Sequence, residues 1–350
     1  MAEEPIRMGI VGCGGLTQSV HIPCVASLEA FRVVAVCDLR EEAAQRAASR
    51  LPGSRAYTEV TRLLDEPLDA VLVCAPPAVH EEVTLAALER GLHVFLEKPP
   101  SMTTEGARCL VDAAAGREQR TLVGTMWRHA RAHQMAKELS ERPEFGQALT
   151  FHARYVCPGP GMRMDWGLDR HDDAQMVRFF MLDHIVHLAD ATRYFMGNVE
   201  RIQAIRSRTS GENYAFAVNL WFTGGLVGDW TVAFRAPAFD GLIYLLGDGP
   251  AAVQVRNWHQ LEYVPAHPPV GRGGYQDHPA FQWDGGINYA EGVMRPGYRE
   301  EWQAFAQAIR AGAECHANVE DAWQAMRIIE ALAASLHAGS PVTIPSQVPS

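Results

Sequence analysis

The feature that most constrains this chain is a regular alternation of short apolar runs and helical segments, which fills its first third and begins on a glycine turn. Ile6 to Val11 passes directly into Gly12-Cys13-Gly14-Gly15-Leu16-Thr17, after which Gln18 to Ser27 reads as a helix interrupted near Pro23. Gly12 allows a tight turn. Gly14 lets a pyrophosphate approach the backbone N–H groups at the positive helix end. A glycine triplet alone is a weak sign, but the next strand, Arg32 to Cys37, ends in Asp38, about where a carboxylate grips the two hydroxyls of an adenosine ribose. Capping the following helix is the other role open to Asp38. A carboxylate here repels a 2′-phosphate, which favours NAD over NADP; Arg40, nearby, leaves NADP possible.

The alternation continues with a helix Glu41 to Arg50, a strand near Ala56-Tyr57, a helix Thr61 to Asp65 and the apolar strand Ala70 to Cys74, which Ala75-Pro76-Pro77 ends. Val79 to Arg90 reads as a helix stopped by Gly91, His93 to Glu97 as a strand, Thr103 to Ala115 as a helix and Thr121 to Gly124 as a strand. Strands separated by crossover helices predict an α/β domain with a doubly wound parallel sheet, which binds ligands at the carboxyl ends of its strands. Lys98 sits at such an end, in Phe95-Leu96-Glu97-Lys98-Pro99-Pro100. The two prolines fix their own φ and push Lys98 out of the helical region, so its ammonium group leaves the strand in a defined direction. A solvated lysine at a strand-to-helix turn is the structural alternative.

After Gly124 the texture changes. A helix Ala132 to Ser140 leads into segments of strand period, Gln147 to Val156, Val199 to Thr209, Asn213 to Phe222 and Leu226 to Arg235, with no crossover helices to make them parallel. This predicts an α+β domain with a large, mainly antiparallel open sheet, and a division into residues 1–125 and 126–350, as the length of 350 residues favours. Two irregular stretches, Cys157 to Asp173 and Trp258 to Tyr298, are rich in aromatic, Arg and His residues, and helices Glu300 to Ala311 and Val319 to His337 close the chain. A net charge of −10 without a basic cluster argues against a nucleic-acid surface. No apolar run reaches membrane length and the N-terminus lacks a secretory signal, so no membrane partner and a cytoplasmic location are expected. The seven cysteines are scattered without a Cys-x-x-Cys pair and read as reduced thiols.

Asp183 to Met196 reads as a helix whose apolar face is Ile185, Leu188, Ala189, Thr192, Phe195 and Met196, with Gly197 as its stop. Asp183, His187, Asp190 and Tyr194 fall on a different face, which puts Asp183 and His187 one turn apart. Three readings are open: a structural i,i+4 hydrogen bond on a solvated face, metal ligation with His184, or acid/base catalysis in which the carboxylate orients the imidazole. His184 is expected to rotate away from the line of Asp183 and His187, which argues against a metal.

Taken together, Gly12-Cys13-Gly14-Gly15, Asp38, Ala75-Pro76-Pro77 with His80, Glu97-Lys98-Pro99, Gly124 to Arg128 and Asp183 to Asp190 resemble the family of glucose-fructose oxidoreductase, inositol dehydrogenase and MocA. The resemblance implies an N-terminal Rossmann domain, a C-terminal α/β domain with a large open sheet, and oxidation or reduction of a sugar or polyol with NAD or NADP. It matches Lys98 to the family's catalytic lysine, and Asp183 and His187 to its Asp-x-Gly-x-His motif, with Ile185 where that glycine usually stands. Gly12, Cys13, Gly14, Gly15, Leu16, Thr17, Asp38, Ala75, Pro76, Pro77, His80, Glu97, Lys98 and Arg128 fall at cofactor-binding positions, with Thr17 in place of a third glycine. No metal is implied. Trp127, Arg128, Arg163 and Trp166 are weaker candidates for substrate contacts. Relatives often form dimers or tetramers, so a homodimer or homotetramer is expected. Some relatives serve as sensors, and an NAD-dependent glycosidase is a third reading; retention of Lys98, Asp183 and His187 together speaks for catalysis.

Overall fold

The computed structural model describes residues 4–158, 166, 169, 171–207, 214–234, 236–265, 281–286 and 295–346. In chain order the elements begin with β1 (Ile6–Val11), α1 (Ile22–Ala26), β2 (Phe31–Cys37), α2 (Glu41–Ala48), β3 (Arg55–Tyr57), α3 (Val60–Leu64) and β4 (Ala70–Val73). They continue with α4 (His80–Glu89), β5 (His93–Leu96), α5 (Thr104–Ala114), β6 (Thr121–Val123), α6 (Arg131–Ser140), β7 (Ala148–Cys157), α7 (Asp173–Phe180) and α8 (Val186–Met196). The last are β8 (Val199–Arg206), β9 (Tyr214–Phe222), β10 (Val227–Phe234), β11 (Asp240–Gly247), β12 (Ala252–Arg256), β13 (Gln260–Val264), β14 (Phe281–Asp284), α9 (Tyr298–Ala311), α10 (Val319–Ala338) and β15 (Val342–Thr343). They form two compact units, residues 1–129 with 289–326 and residues 130–288 with 327–350.

The first unit holds a six-stranded sheet in the order β3-β2-β1-β4-β5-β6, every pairing parallel. A doubly wound sheet is covered on both faces, and accordingly every residue of β4 and β6 is buried. This is why its central strands read in the sequence mainly as apolar runs rather than as alternation. In α9 the spacing Tyr298, Trp302, Phe305 makes a buried stripe. Trp302 lies 4.8 Å from Phe95 and 5.0 Å from Phe31 between ring centroids, and Phe305 lies 5.7 Å from Phe95, so the helix is held to the sheet by an aromatic cluster.

The second unit holds a nine-stranded sheet in the order β14-β13-β12-β11-β7-β10-β9-β8-β15. All its pairings are antiparallel except β7 with β10, which run parallel in the middle of the sheet. β7 shows the period of two that one covered face requires: Phe151, Ala153, Tyr155 and Cys157 are buried, while the residues between them are half-buried. The covered face meets α7 and α8, where Phe180 stacks on Phe234 at 3.9 Å and Trp230 donates its indole N–H to Thr192 Oγ1 at 3.0 Å.

Three local expectations differ. Pro23 does not interrupt the helix: the chain is helical without a break from Gly15 to Ala26, and the π turn Thr17–His21 lies directly before the proline, where the helical hydrogen-bond ladder must give up a bond. The stretch Trp258 to Tyr298 is not wholly irregular, since it contains β13 and β14, and β11 and β12 precede it. Finally, the helix carrying Asp183 begins earlier, at Asp173, and passes through a second π turn, Met181–Ile185.

Candidate active site

The glycine turn is built for close approach. Gly12 has φ +92°, and a Cβ there would overlap the carbonyl group of Cys74 and stand 2.8 Å from the Ala75 nitrogen, so only glycine fits. At Gly14 and Gly15 a Cβ would meet nothing within 4 Å, which leaves a cradle in front of the helix N-terminus that a pyrophosphate fits. Thr17, at the place of the third glycine, turns its buried hydroxyl back to donate to Gly12 O at 2.7 Å and so ties the turn to the helix. Cys13 donates its backbone N–H to Asp38 Oδ2 at 2.9 Å, so the ribose-side carboxylate is locked to the turn. Burial pushes the Cys13 thiol up to about 12, which removes it as a nucleophile. Asp38 Oδ1 accepts from the backbone N–H and Nε of Arg40, whose side chain is 70% exposed against 12% for Asp38. Leu16 is half-buried between these groups in sequence, on the first helical turn.

At the ends of β4 and β5, Ala75-Pro76-Pro77 leads into His80, which is buried and uses both ring nitrogens on backbone carbonyls: Nε2 on Ala75 O at 2.7 Å and Nδ1 on Pro99 O at 2.8 Å. Burial lowers its pKa, against the pull of those two carbonyls. His80 therefore clasps the two loops together. Lys98 is half-buried and donates its backbone N–H to Glu97 Oε2 at 3.1 Å, and the Lys98–Pro99 peptide is cis. Glu97 is buried, with Oε1 at 3.0 Å from His21 Nε2. Arg128, also buried, pairs with Asp321 Oδ2 at 3.1 Å, an oxygen that also accepts from Ala317 N.

In the second unit, Asp183 lies half-buried on its π turn, and His187 lies buried on the first turn of α8. His184 sets its Nε2 3.3 Å from Asp183 Oδ2 and its Nδ1 on the Tyr155 hydroxyl at 2.8 Å, not on His187. The π turn re-phases the residues it carries, which a pure 3.6-residue period does not anticipate. Nor is the polar face solvated, since Asp190 is buried along with His187. Among the described residues Asp183, His184 and His187 do not gather into a cluster of metal-ligand spacing. Trp127 is buried and Trp166 packs edge-on against Phe179 at 4.8 Å; Arg163 lies outside the described residues. Sequence reading passed over His21, Glu301 and Trp302. The legible signal was Glu301, a charge in phase with the apolar stripe of α9.

Comparison with known proteins agrees with this arrangement. A family model described as the oxidoreductase family with NAD-binding Rossmann fold, GFO_IDH_MocA, matches residues 6–125, and the GFO/IDH/MocA C-terminal domain matches residues 133–256. Among curated relatives, D-glucoside 3-dehydrogenase of Escherichia coli (strain K12) is 32% identical over 200 residues, covering 56% of each chain. Inositol 2-dehydrogenase of Streptomyces avermitilis is 33% identical over 211 residues, 59% of this chain and 57% of that one. The matched region spans about half to three fifths of these relatives. A dehydrogenase from Chromobacterium violaceum has a solved structure that matches with a TM-score of 0.85 and 26% identity over 97% of both chains. A levoglucosan dehydrogenase in complex with NADH and L-sorbose shares the fold, with a TM-score of 0.81 and 20% identity over 99% of this chain and all of that one. With the glycine turn, Asp38 and Glu97-Lys98 inside the first matched region and Asp183 and His187 inside the second, the chain belongs to the glucose-fructose oxidoreductase, inositol dehydrogenase and MocA family of NAD-binding oxidoreductases.

Proposed function

We propose that the protein is an NAD-dependent dehydrogenase that oxidises a secondary alcohol of a sugar, polyol or sugar derivative. One observation carries this reading: a single parallel sheet presents, at its strand ends, a glycine cradle open to a pyrophosphate, a ribose-side carboxylate tied into that cradle, and a lysine anchored through a buried carboxylate. When bound, NAD supplies the hydride acceptor. His187 takes the substrate's hydroxyl proton, Lys98 hydrogen-bonds the same oxygen and stabilises its developing negative charge, and Asp183 holds substrate hydroxyls or the His187 ring. Relatives named for glucoside and inositol dehydrogenation support a polyhydroxylated substrate. The test is the growth of reduced-nicotinamide absorbance when the protein meets NAD and a panel of sugars, inositols and sugar acids. Cleavage of a chromogenic glycoside without net NADH would replace this reading with an NAD-dependent glycosidase. Tight NAD binding with no turnover of either kind would replace it with a sensor.

Asp38 sets the preference for NAD in this reading, and Asp38→Ala tests it. The substitution removes charge-assisted hydrogen bonds to the ribose and releases the exposed Arg40 guanidinium. Losing roughly 2 kcal/mol of such bonding lowers kcat/KM with NAD about 30-fold. The value with NADP falls less or rises, because the repulsion of a 2′-phosphate goes too. An unchanged NAD/NADP ratio would show that Asp38 does not read the ribose. All seven cysteines are free thiols and no helix among the described residues is long and apolar enough to cross a membrane, which supports a cytoplasmic protein. The half-buried second face of the nine-stranded sheet, with Ile205 and Val227 exposed on β8 and β10, supports self-association into a dimer or tetramer.

A further inference from the structure

Behind the Glu97-Lys98 strand end lies a buried polar cluster that the proposed chemistry leaves unused. His21, Glu97 and Glu301 bring an imidazole nitrogen and two carboxyl oxygens within 4.8 Å of one another. Glu301 and His21 are 0% exposed and Glu97 3%. The rings of Tyr298 and Trp302 stand edge-on to His21, and at Gly124 an added Cβ would lie 2.8 Å from Glu97 Oε1.

Hydrogen-bond directions fix most of the protons. Nε2 of His21 donates to Glu97 Oε1 at 3.0 Å, and the Trp302 indole N–H stands 3.2 Å from Nδ1; against burial, which lowers it, the hydrogen bonds of Cys74 and Glu97 raise the imidazole's pKa to about 9, so Nε2 keeps its proton. Glu97 Oε2 accepts from Lys98 N, so Glu97 accepts on both oxygens, as a carboxylate does. Because Nε2 carries the proton, the trio is not a divalent-cation site; a ligating histidine directs its second nitrogen at an acceptor, not at an indole N–H. Glu301 is the remaining group. Neither of its oxygens has a hydrogen-bond partner among the described residues. An ionised, unpaired carboxylate so placed is strongly disfavoured, and burial with the neighbouring Glu97 and Glu300 carboxylates holds its pKa well above the ordinary range.

We propose that Glu301 is a positioning residue: as a carboxylic acid it donates a hydrogen bond to Glu97, and so fixes the carboxylate that holds the backbone of Lys98. A Glu301 oxygen lies within 4.8 Å of a Glu97 oxygen and has no other hydrogen-bond partner among the described residues, so Glu97 is the nearest acceptor the cluster offers. The inference rests on the role given to Lys98 above, and its test separates the two. Glu301→Gln keeps a neutral donor, whereas Glu301→Leu keeps the size and loses the donor. In the full chain, E301Q is expected to hold kcat within about threefold of the wild type, and E301L to lower it roughly 10-fold or more with KM for NAD unchanged. Two readouts need no substrate. The infrared carbonyl band of a protonated carboxyl group is present at pH 8 and lost in E301Q. The rate at which pyridoxal phosphate and borohydride label Lys98, read by mass spectrometry, changes several-fold in E301L and not in E301Q. An absent band, equal effects of the two variants on Lys98 labelling, or a stabilisation by zinc or manganese that E301Q abolishes would each overturn the proposal. Failure of every polyol to react would overturn the dehydrogenase reading while the band and the labelling still decide this one.

Discussion

Lys98→Ala lowers kcat roughly 10²–10⁴-fold on whichever polyol the wild type oxidises, with KM for NAD little changed. The substitution removes an ammonium group and little else: the backbone N–H of Lys98 still donates to Glu97, and the loop is still clasped by His80 through Pro99 O. On the role proposed for Lys98, what is lost is a cation that stabilises the oxygen on which negative charge develops, an interaction stronger in the transition state than in the ground state. Lys98→Arg is not a conservative rescue, because a planar guanidinium cannot present a point charge from the same stem. His187→Ala has an effect of the same order, for it removes the proton acceptor. Together the pair gives a sharper result than either alone. If both groups serve one oxygen, the double variant costs much less than the product of the single losses. Full additivity would assign them to separate tasks, and full turnover in both single variants would end the catalytic assignment.

The parts of this protein that were legible in the sequence are those whose signals are local. β4 throughout, β1 from Met8 and β5 from Val94 are buried on both faces and read as apolar runs, with glycine or proline close behind each, so the parallel sheet follows from the pattern. Asp38 and Lys98 stand at strand ends, where position in the chain equals position in the site. β14 was hidden because nearly all its residues are exposed, leaving no alternation to find. The two π turns were hidden because a change in helical phase has no compositional mark, yet they fall on the glycine-turn helix and on Asp183, the two places where side chains must be re-aimed. The buried array was hidden for another reason: His21, Glu97 and Glu301 are far apart in the chain, and only packing of α9 against the sheet of the first unit makes them neighbours.

Gly12→Ala and Gly14→Ala separate the strain of the glycine turn from its use, because their effects on stability have opposite signs. At Gly12 the new methyl group meets backbone, the Cys74 carbonyl and the Ala75 nitrogen, and the φ of +92° is one that alanine rarely adopts. Neither partner can yield, since Cys74 N is itself bonded to Val11 O and β4 is buried throughout. Overpacking and backbone strain together cost roughly 2–6 kcal/mol, enough to unfold much of the first unit near its working temperature and to abolish NAD binding with it. At Gly14 a methyl group meets nothing within 4 Å, so the folded state is unstrained and the loss of unfolded-chain freedom raises stability by about 0.5–1 kcal/mol. The same methyl group occupies the space where a pyrophosphate would close on the backbone, and NAD affinity falls about 10-fold or more. Urea unfolding and NAD titration of the two variants read these effects separately. A Gly14→Ala protein that is more stable and still binds NAD as the wild type does would mean that the open cradle is not where the dinucleotide lies.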